Sequence, residues 1–310
     1  EQFNVTSYAV TVLAVATPEA FAGMWINAFI VSVICMTWIK KKTLNSNEKI
    51  LLVLGLSRFG YLCILWVYSF LSAIYPYYLH VRPTVQLTGS IYMFLNYLNL
   101  WLSACLCVFY CIKIADFRNS FFTYLKVKID RIVPWLLLGS LLLALAVSVL
   151  AYDTGVKLHS KNNSSTCRGS FWEKNIKMEE HVFKVYFLTG FGYAASFTAV
   201  TFSALLLLFS LWRHQRNMQT NCMKDLSMDA HIKAMKSILS FLIMYSINFG
   251  FLVSTLISSK NKENPIMFLI YVFLYAFPVV HSLVLIFSNP KLEKTFLSIL
   301  PCLKGKVCMK

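Results

Sequence analysis

The chain has 310 residues, of which 58% are hydrophobic and only 14% are charged, and its formal net charge is +16. Soluble domains average about 45–50% apolar and about 25% charged residues, so this composition excludes an ordinary soluble domain. The 25 Phe, 16 Tyr and 7 Trp also exclude a disordered chain, which could not leave so much apolar surface in water. Because both of these classes are excluded, the composition indicates a membrane protein with several transmembrane spans.

Seven apolar runs are each long enough to cross a hydrocarbon core of about 30 Å, which takes roughly 20 helical residues. Runs of this length without a period of two indicate helices and not the strands of a barrel. We therefore predict an all-α, seven-transmembrane helix bundle over residues 1–300 and a short cytoplasmic tail at 301–310. The predicted spans are 10–38, 50–75, 87–112, 133–152, 182–211, 238–257 and 266–287.

The positions of Lys and Arg predict the orientation of the bundle. Segments 39–49, 113–132, 212–237 and 288–310 together hold 19 of these residues, whereas segments 1–7, 75–86, 153–181 and 258–265 hold 8. Because short cytoplasmic loops are enriched in Lys and Arg, the N-terminus is predicted outside and the C-terminus inside. The glycosylation sequons at Asn4, Asn162 and Asn163 all fall on the predicted outer side, which supports the same orientation.

The sequence offers no foundation for enzyme chemistry. It contains no HExxH, no paired Cys-x-x-Cys and no P-loop, and the seventh span has no lysine for a retinal Schiff base. No catalytic residue, cofactor or metal is therefore expected. Only Cys167 lies in a predicted outer segment, so no outer disulfide is expected either. A seven-helix channel or transporter remains an alternative to a receptor.

Polar side chains recur along one face of the third span. Tyr92, Asn96, Asn99 and Ser103 are spaced by four, three and four residues, which places them on the same side of a helix. Such a stripe should face the bundle interior, either to bind a small molecule or only to hydrogen-bond other helices. With the polar residues of spans six and seven, the predicted ligand-binding set is Tyr92, Asn96, Asn99, Tyr245, Asn248, Tyr271 and Tyr275.

Arg58 and Glu19 lie inside predicted spans, where charge is costly. Arg58 is about 12 Å into the second span, given a rise of 1.5 Å per residue. We expect its guanidinium to hydrogen-bond inward to Asn27 and to Ser282 or His281, with snorkelling to the interface as the alternative. Glu19 either faces a ligand or lies at the interface. After the seventh span, segment 290–300 is predicted to be an amphipathic helix on the membrane.

Motifs at the inner ends of the helices resemble those of the bitter taste receptors, the type 2 taste receptor family. Residues 109–117 read FYCIKIADF, which is similar to their FYxxKIA-x-F, and 54–58 read LGLSR, similar to LAxSR. Further matches are SLWRHQRNM at 210–218, HIKAMKSILSFLIMY at 231–245, PVVHSLVLIFSNPKL at 278–292 and NAFI at 27–30. The matches run in order over nearly the whole chain.

The resemblance implies a G protein-coupled receptor of the plasma membrane that takes part in taste transduction. Small bitter compounds would bind between the outer halves of the helices, and the inner loops would activate a gustducin-type heterotrimeric G protein, leading to phospholipase C and calcium release. A similar receptor for a steroid or bile acid is a further alternative. The residues implied in switching and coupling are Asn27, Arg58, Leu106, Phe109, Tyr110, Lys113, His214, His231, Lys236, His281 and Ser282.

Overall fold

The computed structural model describes residues 2–74, 84–115, 117, 119–162, 171–219, 226–257 and 265–303. Every regular element among them is an α-helix, and seven of the helices are long and apolar enough to cross a membrane. The prediction of a seven-helix membrane bundle is therefore confirmed. The helices are α1 (Gln2–Lys41), α2 (Ser46–Ile74), α3 (Thr84–Ile114), α4 (Ser120–Asn162), α5 (Phe171–Gln219), α6 (Leu226–Ile257), α7 (Pro265–Ser288) and α8 (Pro290–Leu303).

The helices extend beyond the predicted apolar spans. The fourth span was predicted to end at residue 152 and the fifth to begin at 182, but α4 continues to Asn162 and α5 already begins at Phe171. Hydropathy marks where a helix leaves the hydrocarbon, whereas the backbone hydrogen bonds can continue into water. Lys and Glu, which are common in the added turns, have good helix propensity.

The bundle is organised around α3. This helix packs against α2, α4 and α5, while α1 lies between α2 and α7, and α6 lies between α5 and α7. In its most apolar stretch, 67% of the residues of α3 are buried, compared with 22% in α4. The polar stripe of α3 therefore faces protein, and the exposed leucines of α4 face the surroundings of the bundle. We call the end at which α1 ends and α8 begins the inner end, and the opposite end the outer end.

A glycine permits a very close approach of α3 and α5. The Tyr97 hydroxyl donates a hydrogen bond to the Leu188 carbonyl oxygen at 2.8 Å, and the tyrosine ring lies against Gly192. A Cβ atom added to Gly192 would lie only 1.5 Å from the Tyr97 hydroxyl oxygen. Any side chain at this position would therefore push the two helices apart.

The segment after α7 forms the predicted amphipathic helix, α8. The Asn289 side-chain oxygen accepts hydrogen bonds from the backbone N–H groups of Lys291 (3.1 Å) and Leu292 (3.4 Å), which caps the helix. The Phe296 ring packs edge-on against Phe29 of α1, with centroids 5.4 Å apart. Ile299, expected on the same face as Leu292 and Phe296, is more exposed, and the Leu300 side chain lies outside the described part.

Candidate ligand pocket and Arg58 cluster

Arg58 is completely buried and is the centre of a hydrogen-bonded cluster between α2, α3 and α7. Its Nε donates to Asn99 Oδ1 (3.0 Å), its Nη1 to Ser282 Oγ (2.9 Å) and its Nη2 to Ser103 Oγ (3.2 Å). Nη2 also contacts Nδ1 of His281, which must act as the acceptor because a guanidinium has only donors. Arg58 therefore points inward and uses four of its five N–H groups, so it does not snorkel.

The expected contacts of Arg58 with Ser282 and His281 are present, but Asn27 is reached only indirectly. Ser282 lies between them, accepting from Arg58 and donating its own hydroxyl proton to Asn27 Oδ1 at 2.8 Å. The Asn27 amide nitrogen in turn donates to the Gly23 carbonyl at 2.8 Å. Our expectation of a direct Arg58–Asn27 bond was wrong, because the serine hydroxyl bridges the gap between α1 and α2.

A small pocket lies on the outer side of the Arg58 cluster. Its cavity volume is about 10 Å³, which is room for roughly one water molecule. Among the described residues the Asn248 side chain has no hydrogen-bond partner. Pro278 has no N–H, so it leaves the Leu274 carbonyl without its usual helical donor. The pocket is lined by Tyr61, Asn96, Asn99, Leu100, Tyr245, Asn248, Leu252, Leu274, Phe277 and Pro278.

Four of the seven predicted ligand-binding residues line this pocket, namely Asn96, Asn99, Tyr245 and Asn248. Asn99 belongs to both regions, because its side-chain oxygen also binds Arg58. Asn96 donates from Nδ2 to the Tyr193 hydroxyl at 2.8 Å, which ties the pocket wall to α5. Tyr193 is a contact that sequence reasoning missed. Tyr61 was also missed, although its position three residues after Arg58 places both side chains on one face of α2.

The remaining predicted residues lie beside the pocket and not in its lining. Tyr92 packs against Tyr61 with ring centroids 5.6 Å apart, and the Tyr275 hydroxyl pairs with Ser69 at 2.9 Å. Tyr271 packs on the main core without lining the pocket. Near Tyr275, one carboxylate oxygen of Glu19 is buried without a hydrogen-bond partner among the described residues.

A column of aromatic rings connects the pocket with the Arg58 cluster. Tyr245 and Phe277, which line the pocket, have centroids 6.1 Å apart, and the Phe277 ring lies 5.5 Å from His281. Phe241 contacts both ends of this path, 5.7 Å from Tyr245 and 4.5 Å from His281. Movement of α6 against α7 would therefore change the packing around His281, which binds Arg58.

Comparison with known proteins identifies the family. A protein-family model described as "Taste receptor protein (TAS2R)" matches residues 5–304. The chain belongs to the type 2 taste receptor family. It is 31% identical to taste receptor type 2 member 7 of Macaca mulatta over 94% of this chain and 92% of the relative. It is 31% identical to member 110 of Mus musculus, covering 98% and 96%, and 29% identical to member 2 of Homo sapiens, covering 96% and 98%.

Family membership makes this chain a receptor and not an enzyme. The residues predicted for G protein coupling lie towards the inner end of the receptor. Leu106 and Phe109 are buried in the core, while His214 and Lys236 are exposed. The Tyr110 hydroxyl donates to Asn47 Oδ1 at 3.1 Å.

Lys113 of α3 forms an ion pair with Asp130 of α4 at 2.8 Å, and both side chains are about half exposed. It therefore lies at the surface of the inner end. Four predicted residues lie wholly or partly outside the described part of the chain. The side chains of His231, Asn4 and Asn162 lie outside the described part, as does the whole of Asn163.

Proposed function

We propose that this receptor binds small bitter compounds in the pocket between α3, α6 and α7 and activates a gustducin-type G protein. Signalling would proceed from the plasma membrane through phospholipase C to calcium release. The main observation behind this proposal is that the pocket adjoins the Arg58 cluster: Asn99 lines the pocket and also binds Arg58. A ligand that displaces Asn99 would act directly on the Arg58 cluster, because Asn99 binds Arg58.

The pocket offers the groups that recognise a compact, partly polar ligand. Leu100, Leu252 and Leu274 supply apolar surface, while Asn248 and the Leu274 carbonyl supply hydrogen-bonding groups. A cavity of about 10 Å³ is far smaller than the pockets of about 300–1,000 Å³ that bind drug-sized ligands. Binding therefore requires the surrounding helices to separate, and that separation is the signal we propose.

The inner end would transmit this movement to the G protein. Displacement of α6 relative to α7 would alter the contacts of Phe241 and Phe277 with His281 and hence the Arg58 cluster. Leu106 and Phe109, now buried, would then contribute to a surface formed with Tyr110, Lys113, His214, His231 and Lys236. In this proposal the Arg58 cluster is the element that switches between two states. In the state described here, side chains of α3 and α7 hold Arg58 of α2.

A reconstituted receptor tests the function. The purified chain in lipid nanodiscs should stimulate nucleotide exchange on a purified gustducin-type G protein when members of a bitter compound panel are added. Ligand-evoked current without G protein would instead indicate a channel. A response only to steroids or bile acids would keep the receptor and reject the bitter ligand.

Paired variants on α6 test the pocket. Asn248→Ala should weaken the potency of at least some agonists, because it removes an amide that faces the cavity. Ser246→Ala is the matched control, since the Ser246 hydroxyl bonds to the Leu242 carbonyl of its own helix at 2.8 Å. Equal dose-response curves for both variants and the parent over a diverse panel would reject Asn248 as a ligand contact.

The proposed orientation places the N-terminus outside the cell and α8 inside, as the distribution of Lys and Arg predicts. Glycosidase treatment should increase the gel mobility of the expressed receptor, and replacing Asn162 and Asn163 with Gln should remove much of this change. A C-terminal tag should be accessible to antibody only after permeabilisation. An unglycosylated receptor whose C-terminal tag is labelled on intact cells would reverse the orientation.

A further inference from the structure

Lysines from two helices that are distant in sequence converge at the inner end. α1 ends with Lys40 and Lys41, and Lys42 follows with a positive φ of 56°, which terminates the helix. α8, whose first turn contains Lys291, packs on α1 and α7. We call the exposed lysines here the basic rim, and its members are Lys40, Lys41, Lys42, Lys291 and Lys294.

Glu48 at the start of α2 links the two parts of the rim. Its Oε1 pairs with Lys291 Nζ at 3.0 Å, and its Oε2 accepts from the Asn45 backbone N–H at 3.1 Å. Lys41 also interacts electrostatically with this carboxylate. Glu48 thus draws lysines of α1 and α8 together. Glu293 also lies in the first turn of α8, but the five lysines of the rim still outnumber these two carboxylates, so the rim retains an excess of positive charge.

The rim lies at the depth of the membrane surface. Met36, Trp38 and Ile39 immediately precede the α1 lysines and are exposed apolar residues at the end of a membrane span. Tryptophan is enriched at the headgroup level, which places the next residues among the lipid headgroups. On α8, exposed Leu297 and Ile299 offer further apolar surface beside the charged side.

We propose that the basic rim binds the headgroup of an anionic phospholipid. A phosphorylated headgroup offers the several negative charges that this many lysines can share, and α1 and α8 supply apolar surface for its acyl chains. Basic clusters on an amphipathic helix next to a membrane span bind such lipids through the same interaction. This inference rests on the proposed orientation, because anionic lipids are concentrated in the cytoplasmic leaflet.

Lipid binding to the purified full-length receptor tests this site without agonist or G protein. Receptors in nanodiscs of phosphatidylcholine with a minor fraction of phosphatidylinositol bisphosphate should enrich the anionic lipid, as measured by native mass spectrometry. Lys40→Gln combined with Lys294→Gln should weaken this enrichment about tenfold or more, since each lysine near the surface contributes roughly fivefold. Lys40→Arg combined with Lys294→Arg should retain it, because the charge is unchanged.

The matched control is Lys128→Gln combined with Arg131→Gln. Both residues lie on α4, which packs on α2, α3 and α5, and the two substitutions remove the same charge from the same end of the receptor. This control should bind lipid like the parent receptor, and high salt should weaken the parent's binding. Equal losses in both Gln variants would indicate net charge alone and overturn the site. Equal binding of soluble inositol phosphate, or no preference over phosphatidylcholine, would overturn it as well. Loss of G protein activation with lipid binding intact would assign the rim to the G protein instead.

Discussion

The Arg58 cluster and the outer pocket use the same stripe of α3 in opposite ways. In the cluster, every central side chain has a partner, and Arg58 alone makes four hydrogen bonds. In the pocket, Asn248 has no partner among the described residues and Pro278 leaves a carbonyl without its helical donor. A network in which every buried polar group has a hydrogen-bond partner holds the helices in one arrangement. A cavity with unpaired hydrogen-bonding groups can instead accept a ligand.

Replacing the centre of the cluster should have the largest effect. Arg58→Ala leaves Asn99, Ser103, Ser282 and His281 without their shared donor, at about 1–3 kcal/mol for each buried group left unsatisfied. We expect a large fall in the melting temperature of the purified receptor and altered basal or agonist-driven signalling per surface molecule. Reduced surface expression with normal signalling by the molecules that arrive would reduce the cluster to a structural role.

The contact between α3 and α5 should be the next most sensitive position. Gly192→Ala forces a methyl group into the Tyr97 hydroxyl and should cost about 1–3 kcal/mol, as over-packed cores do. Gly250→Ala is the matched control, since its added Cβ meets nothing within 4 Å. Thermal unfolding should separate the two variants, and the losses caused by Gly192→Ala and Tyr97→Ala should be less than additive when combined, because Tyr97→Ala removes the group that the added methyl meets. Identical melting curves for both alanine variants would contradict the close approach.

Ser282→Ala should act in the same direction as Arg58→Ala but more weakly. It removes the hydroxyl that joins Arg58 to Asn27, while Asn99, Ser103 and His281 still accept from the guanidinium. We expect a loss of roughly 1–2 kcal/mol and a smaller change in signalling per surface receptor. If Ser282→Ala changed signalling more than Arg58→Ala did, Arg58 would not be the centre of the switch.

The smallest effect is expected from Asn96→Ala in the pocket. A hydrogen bond from Asn96 to an agonist would be worth about 0.5–1.5 kcal/mol net, which corresponds to roughly a twofold to twelvefold change in agonist potency. Surface expression should remain near normal, since the Tyr97 contact still joins α3 to α5. Unchanged potency over a chemically diverse agonist set would leave Asn96 as a purely structural residue.

Sequence reasoning worked best where the signal was local. Apolar run length predicted the seven spans, and the spacing of Tyr92, Asn96, Asn99 and Ser103 predicted an inward face on the third. Contacts between helices were predicted only in part, since Ser282 and His281 were expected as partners of Arg58 but Asn99 and Ser103 were not. Asn99 was assigned to ligand binding alone, yet it also binds Arg58, and the stripe divides between two sites at this residue.

The sequence by itself determined the membrane bundle, the presence of a charged residue, Arg58, inside the second span and the amphipathic α8, because hydropathy and helical period are properties of short segments. Only the tertiary structure decided that Ser282 bridges Arg58 to Asn27, that Gly192 admits Tyr97 and that lysines of α1 and α8 meet around Glu48. These contacts depend on the rotation and relative depth of packed helices. Lipid-facing and protein-facing apolar residues look alike in the sequence, so hydropathy does not record that geometry.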